Sequence, residues 1–76
     1  MIYVAARQYD DFREYVENNS LDYINCEYIP STAQFSKSKF NYKTDKIILL
    51  SKWRSNKNLK GLEKELYLAG VDMEKI

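Results

Sequence analysis

The residues whose types could do chemistry gather just past the ends of apolar runs. Arg7 follows the run Met1–Ala6, Ser31 and Thr32 follow Ile29-Pro30, and Ser51, Lys52, Trp53 and Arg54 follow Ile47-Ile48-Leu49-Leu50. In an open α/β sheet the carboxyl ends of the strands form the crevice where ligands bind. If the three runs are neighbouring strands, Arg7, Lys52 and Arg54 bring three cations to that rim. Ser31, Thr32 and Ser51 bring hydroxyls, and Trp53 brings an indole. Cations and hydroxyl donors on one edge suit phosphate, a nucleotide or a nucleic-acid backbone. The plainer alternative has Trp53 capping the core while the cations stay in water.

A second set lies further along the chain. Lys57, Lys60 and Lys64 form a basic stripe nearly opposite the apolar stripe Leu59, Leu62, Leu66 and Ala69, and Leu68 falls in line with the lysines. Read as a helix, this is either a solvated face, with Leu68 packed under Met73 or Ile76, or a partner-binding face. In the second case Leu68 and Trp53 are the apolar anchors and the lysines choose the partner. Asp10, Glu14 and Glu17 make an acidic stripe on an earlier helix. Carboxylates on one exposed helix face diverge, whereas a divalent cation needs them to converge, so a solvated face is expected and no metal site. Cys26 reads as a small buried apolar residue.

Much chemistry is excluded. The chain has no histidine, so Ser-His-Asp, Cys-His and His-ligated metal arrangements are out. One cysteine builds neither a disulfide nor a CxxC site. The two glycines, Gly61 and Gly70, lie far from the ends of the apolar runs, so neither a Walker A loop nor a GxGxxG fingerprint is present. No catalytic residue and no cofactor is expected. With 12 basic and 11 acidic residues the net charge is +1, which gives no global pull towards nucleic acid or membrane. No apolar run approaches the roughly 20 residues of a bilayer span, and no basic stretch leads into a long apolar one as in a secretory leader. A cytoplasmic protein without membrane contact is the expectation.

The elements that must position these residues follow from period. Met1–Ala6 and, within the strand Lys46–Leu50, Ile47–Leu50 are unbroken apolar runs, the mark of strands buried on both faces of a parallel sheet. Asp22–Ile29 alternates, with Ile24, Cys26 and Tyr28 on one side, as an edge strand does. Tyr9, Phe12 and Val16 repeat at helical spacing, and Leu59 to Ala69 do so again. The expected fold is α/β in one domain, 1–76. It has a three-stranded, mostly parallel sheet of order 2-1-3 (strands near 1–6, 23–29 and 46–51) and helices near 9–19 and 58–69. Gly61 falls inside the second helix, at a cost of roughly 1 kcal/mol relative to Ala, and Gly70 suits its C-terminal cap. Ser31 and Gln34 have capping-box spacing for a short helix in the crossover Ser31–Asp45, and Phe35, Phe40 and Tyr42 should tuck under the sheet edge. Val71–Ile76 could add a short strand that the three-stranded sheet does not include. So small a core without a staple makes a homo-oligomer conceivable.

Three stretches, Ile2-Tyr3-Val4-Ala5 before an amphipathic helix, Ile47-Ile48-Leu49-Leu50-Ser51-Lys52-Trp53, and the terminal helix Leu59–Leu68, resemble short phage-encoded proteins of uncharacterised function. The resemblance implies an accessory protein that acts on host machinery in the host cytoplasm. Two functions are therefore expected: a non-catalytic module that binds a host protein, or a binder of phosphate, nucleotide or nucleic acid at the strand rim.

Overall fold

The computed structural model describes residues 1–35 and 40–76. Strands β1 (Ile2–Ala5), β2 (Cys26–Tyr28), β3 (Lys46–Leu49) and β4 (Met73–Lys75) make one sheet in the order β2-β1-β3-β4. Every neighbouring pair is parallel, with Tyr3 beside Glu27 and Ile47, and Ile48 beside Glu74. Helix α1 (Tyr9–Asn18) follows β1, and helix α2 (Leu62–Leu68) precedes β4. Among the described residues no helix is long and apolar enough to cross a membrane.

The unbroken apolar runs are the doubly covered strands that their composition predicts. Alternate side chains of a strand serve opposite faces. Val4, Ala6, Ile48 and Leu50 meet Phe12 and Val16 of α1, with Cys26 among them. Ala5, Ile47 and Leu49 face the other way, onto Leu62 and Leu66 of α2, with Ile29, Phe40, Trp53 and Leu59 beside them. The sheet is thus a shared middle layer. Helix α1 covers one face, and α2 with the crossover covers the other.

The sheet has four strands, not the expected three. Gly70 (φ 74°) takes the left-handed conformation that ends α2, and the Val71 and Gly70 N–H groups donate to the carbonyls of Leu66 and Tyr67 at 3.0 and 3.1 Å. This Schellman turn reverses the chain. Val71 buries itself in the α2-side cluster, and Met73–Lys75 is laid along β3, whose outer edge would otherwise present unpaired backbone groups.

Two boundaries also move. Asp22 accepts a hydrogen bond from the Ile24 N–H at 3.0 Å, so residues Tyr23–Asn25 close into a 3-10 turn and β2 starts only at Cys26. That local bond wins over the alternating pattern, and Ile24 is left 80% exposed instead of lining a strand face. The helix expected over 58–69 is likewise shorter. Asn56 accepts from the Asn58 N–H at 3.0 Å and caps a 3-10 turn over Lys57–Leu59. Gly61 then turns left-handed (φ 83°), and α2 begins after it. Gly61 is therefore at the helix start and not inside it, and the interior penalty does not apply.

In the crossover the Ser31 hydroxyl accepts from the Gln34 N–H at 3.2 Å, as the spacing predicts, but a turn follows rather than a helix. Phe40 is buried and Phe35 half-buried, whereas Tyr42 is exposed, its hydroxyl donating to the Ala69 carbonyl at 3.2 Å. Residues 36–39 of this crossover lie outside the described residues.

Candidate functional site

The crevice at the carboxyl ends of β1 and β2, where the sequence places an anion pocket, is occupied by the protein itself. Asn56 Nδ2 donates to the Ala6 carbonyl at 3.2 Å and to the Tyr28 hydroxyl at 3.4 Å. The side chain that caps the Lys57–Leu59 turn thereby also bridges the end of β1 to the end of β2.

Around this plug the six rim residues separate. Arg7, Ser51 and Lys52 line a shallow concavity on the α1 side, together with Asp11 and Glu14. Arg7 is already engaged there, with Nε and Nη2 at 3.2 and 3.3 Å from the two carboxylate oxygens of Asp11. Ser31 is taken up by Gln34, its hydroxyl donating to Oε1 at 3.3 Å. Thr32 clamps the loop onto the lysine-bearing segment: its hydroxyl donates to the Lys60 carbonyl at 3.0 Å and its N–H to the Asn58 carbonyl at 2.9 Å. Arg54 lies on the α2 side. Arg7, Ser51 and Lys52 thus share one concavity, and Arg54 lines another.

A different constellation does form. Lys52 adopts φ 66°, left-handed and unusual for a residue with a Cβ. The chain bends sharply there, and Trp53 turns into the α2-side cluster, where it is only 9% exposed. A 3-10 turn over Trp53–Ser55, the Lys57–Leu59 turn and the start of α2 then enclose an open groove of about 590 Å³. Trp53 forms its apolar floor, with Leu59 buried beneath it, and Arg54, Lys57, Lys60 and Lys64 stand around it. Of the three lysines only Lys64 lies on an α-helix. The stripe read from the sequence is one face of two turns and a helix start, and the kink at Gly61 wraps it around a concavity.

Among the described residues Glu63 is the one carboxylate in the lining. Arg54 Nη2 donates to Glu63 Oε1 at 2.6 Å, and Lys75 Nζ lies 2.5 Å from Oε2. The hydrogen bonds from Lys75 and Arg54 hold this carboxyl below the usual glutamate range. Arg54 also lies over the indole of Trp53, 5.7 Å from the ring centroid, a cation–π contact. Lys57, Lys60 and Lys64 make no ion pair among the described residues, so the groove keeps a net positive field.

Leu68 is 72% exposed, one turn beyond Lys64, and neither Met73 nor Ile76 covers it. Its neighbour Tyr67 is exposed as well. On the other side of the sheet Asp10, Glu14 and Glu17 are exposed on α1, and among the described residues no group of metal-ligating side chains includes them. Cys26 is buried and free, its thiol pKa raised by burial and then by Asp22, as suits a packing role.

Sequence reasoning places N-caps over 55–58 but names neither Asn56 nor Glu63 as a site residue. Asn56 had a signal, since an Asx residue between Arg54 and Lys57 is a natural turn cap, but its second role depends on the tertiary position of Ala6 and Tyr28. Glu63 had none, because its partner Lys75 sits on the unexpected fourth strand. No protein-family model, no curated protein and no solved structure matches the chain.

Proposed function

We propose that this protein is a binding module without chemistry of its own, and that the groove beside Trp53 receives an acidic segment of another protein. One observation carries the reading: four cations surround an apolar floor, and the single carboxylate among them is already neutralised by Arg54 and Lys75. Charge of this kind sets encounter rate and partner choice, while an apolar side chain pressed onto Trp53 supplies most of the affinity. The likeness to short phage-encoded proteins makes a cytoplasmic host protein the natural partner. A phosphate or nucleotide site at the strand rim has less support. Arg7 is tied to Asp11, and Asp11 and Glu14 would face the ligand's own negative charge in the concavity that also holds Lys52.

Trp53 is the only tryptophan, so its emission reports on the groove directly. The test is a titration with a Glu-rich peptide that carries one phenylalanine and no tryptophan. The emission should shift in a salt-sensitive way, and Lys57→Ala/Lys60→Ala/Lys64→Ala should weaken binding at least about tenfold, the scale of 1.4 kcal/mol. No shift at low salt, or an equal shift with a Lys-rich peptide, rejects the reading. Pyrophosphate binding that vanishes in Arg7→Ala/Lys52→Ala would favour the rim instead.

A further inference from the structure

We infer that the acidic face of α1 on a second copy of this chain occupies the groove, so that copies associate head to tail. The inference rests on the groove reading above and names one occupant for it.

The groove needs a convex, acidic, partly apolar counterpart, and the molecule carries one. Asp10, Glu14 and Glu17 fall at i, i+4 and i+7 on α1, a single stripe, and all three are exposed. Arg13, 3.9 Å from Asp10, offsets only that end of it. Exposed rings flank the stripe: Tyr9 is 52% and Tyr23 is 44% exposed. The Tyr23 hydroxyl donates to Glu17 Oε1 at 3.3 Å and to the Arg13 carbonyl at 3.4 Å, which holds its ring against the acidic stripe. Carboxylates with an aromatic beside them match lysines with an apolar floor between them, in charge and in apolar content together. This is the helix-in-groove mode, in which anchors recur along one helical stripe.

Topology decides that the match is made between copies. Helix α1 packs on one face of the sheet, and Trp53, Leu59 and α2 pack on the other. One chain cannot fill its own groove, yet it can offer its groove and its helix at the same time. Such a contact joins two different patches, so it propagates into open strings unless the rotation happens to close a ring. With a net charge of +1, copies meet without long-range repulsion, and the local opposite charges set the approach. An acidic partner segment competes with the second copy for the same lysines.

The experiment is sedimentation velocity with light scattering on the whole chain, over a concentration series. It compares about 0.01 M salt, where screening extends to about 30 Å, with about 1 M, where it falls to about 3 Å. Mass should rise with concentration at low salt and collapse to monomer at high salt. Two variants alter exposed residues only: Lys57→Ala/Lys60→Ala/Lys64→Ala removes the groove charge, and Glu14→Gln/Glu17→Gln removes the helix charge. Each alone should stay monomeric with an unchanged melting temperature. Mixed in equal amounts they should form a heterodimer that grows no further, because one supplies the only intact helix face and the other the only intact groove. A wild-type chain monomeric at low salt overturns the inference, as does self-association that survives in either variant. If the wild type is monomeric but the Glu-rich peptide still shifts Trp53 emission, the groove stands and only the second copy is wrong as its occupant. If neither occurs, both fall.

Discussion

At the scale of single residues, the side chains that hold this protein together are separable from those it presents. Asp45 belongs to the first kind. It accepts from the Asn41 N–H at 2.9 Å, from the Met1 amino group at 2.9 Å and from the Thr44 hydroxyl at 3.3 Å, and so ties the entry of β3 to the start of β1. The Asn41 bond first, then the amino terminus, holds its carboxyl below the usual aspartate range. A carboxyl depressed in the folded state binds its proton more readily in the unfolded chain. Its stabilising share is therefore complete above the unfolded pKa and is lost as pH falls through the folded one. Glu63, depressed in the same direction, acts likewise. The melting temperature should fall as pH drops below about 4, near the ordinary carboxyl range, and Asp45→Asn should flatten that fall. An equally steep acid limb in Asp45→Asn would show that other carboxyls govern it. Leu68 belongs to the second kind. Leu68→Asp should leave stability within about 0.5 kcal/mol, as surface substitutions do, while weakening a partner whose apolar residue reaches one turn past Lys64. Loss of folding in this variant would place Leu68 in the core, against its exposure.

At the scale of elements, what could be read from the sequence was whatever a short window determines. The runs Met1–Ala6 and Ile47–Leu50 announce doubly covered strands because burial on two faces leaves no room for polar residues. The stripe Tyr9, Phe12 and Val16 announces α1 for the matching reason, and Gly70 announces the end of α2. The misreadings arise where a local polar bond or a tertiary neighbour decides. Asp22 diverts Tyr23–Asn25 from strand to turn. Asn56 and Gly61 break a smooth helical stripe into the turns that build the groove. Strand β4 exists because β3 has an edge to cover, and its short sequence Met73–Lys75 carries little of that information. The bond from Asn56 to the Ala6 carbonyl was illegible for the same reason, since the two residues lie 50 apart along the chain. The ends of the helices supply a paired prediction. Ser20 closes α1 in the left-handed conformation at φ 54°, and Leu21 donates back to the Val16 carbonyl at 2.9 Å. A side chain there costs roughly 1–2 kcal/mol that glycine avoids, so Ser20→Gly should raise the melting temperature. Gly61→Ala runs the other way. The new Cβ would meet nothing within 4 Å, so the expected loss of roughly 1–2 kcal/mol is conformational and not steric. Chemical denaturation of both variants reads the two signs, and a stabilising Gly61→Ala would mean that the left-handed turn is not retained.

At the scale of the whole molecule, the two apolar clusters share one thin sheet, and that couples faces of opposite charge. Ile48 and Leu49 are neighbours on β3, yet Ile48 is buried against α1 and Leu49 against α2. A domain of this length has a total stability on the order of 4–11 kcal/mol at typical values per residue. Replacing either residue with alanine removes about 2–5 kcal/mol through lost burial and the cavity left behind. Neither cluster can open while the other stays intact, because β1 and β3 supply the floor of both. Trp53 is buried only on the α2 side, which makes it a one-sided reporter. Ile48→Ala strikes the opposite side. Its denaturation midpoint should nevertheless fall by the same amount in Trp53 emission as in far-ultraviolet circular dichroism, and Leu49→Ala should match it. If Ile48→Ala instead lost helical signal at a denaturant concentration where Trp53 emission was still native, α1 would unfold independently of the groove. The α1 face and the groove would then be structurally independent surfaces, and a partner on one could not be felt at the other. Coincident midpoints mean that occupying the groove stabilises the acidic helix on the far side, by mass action on a single folding equilibrium.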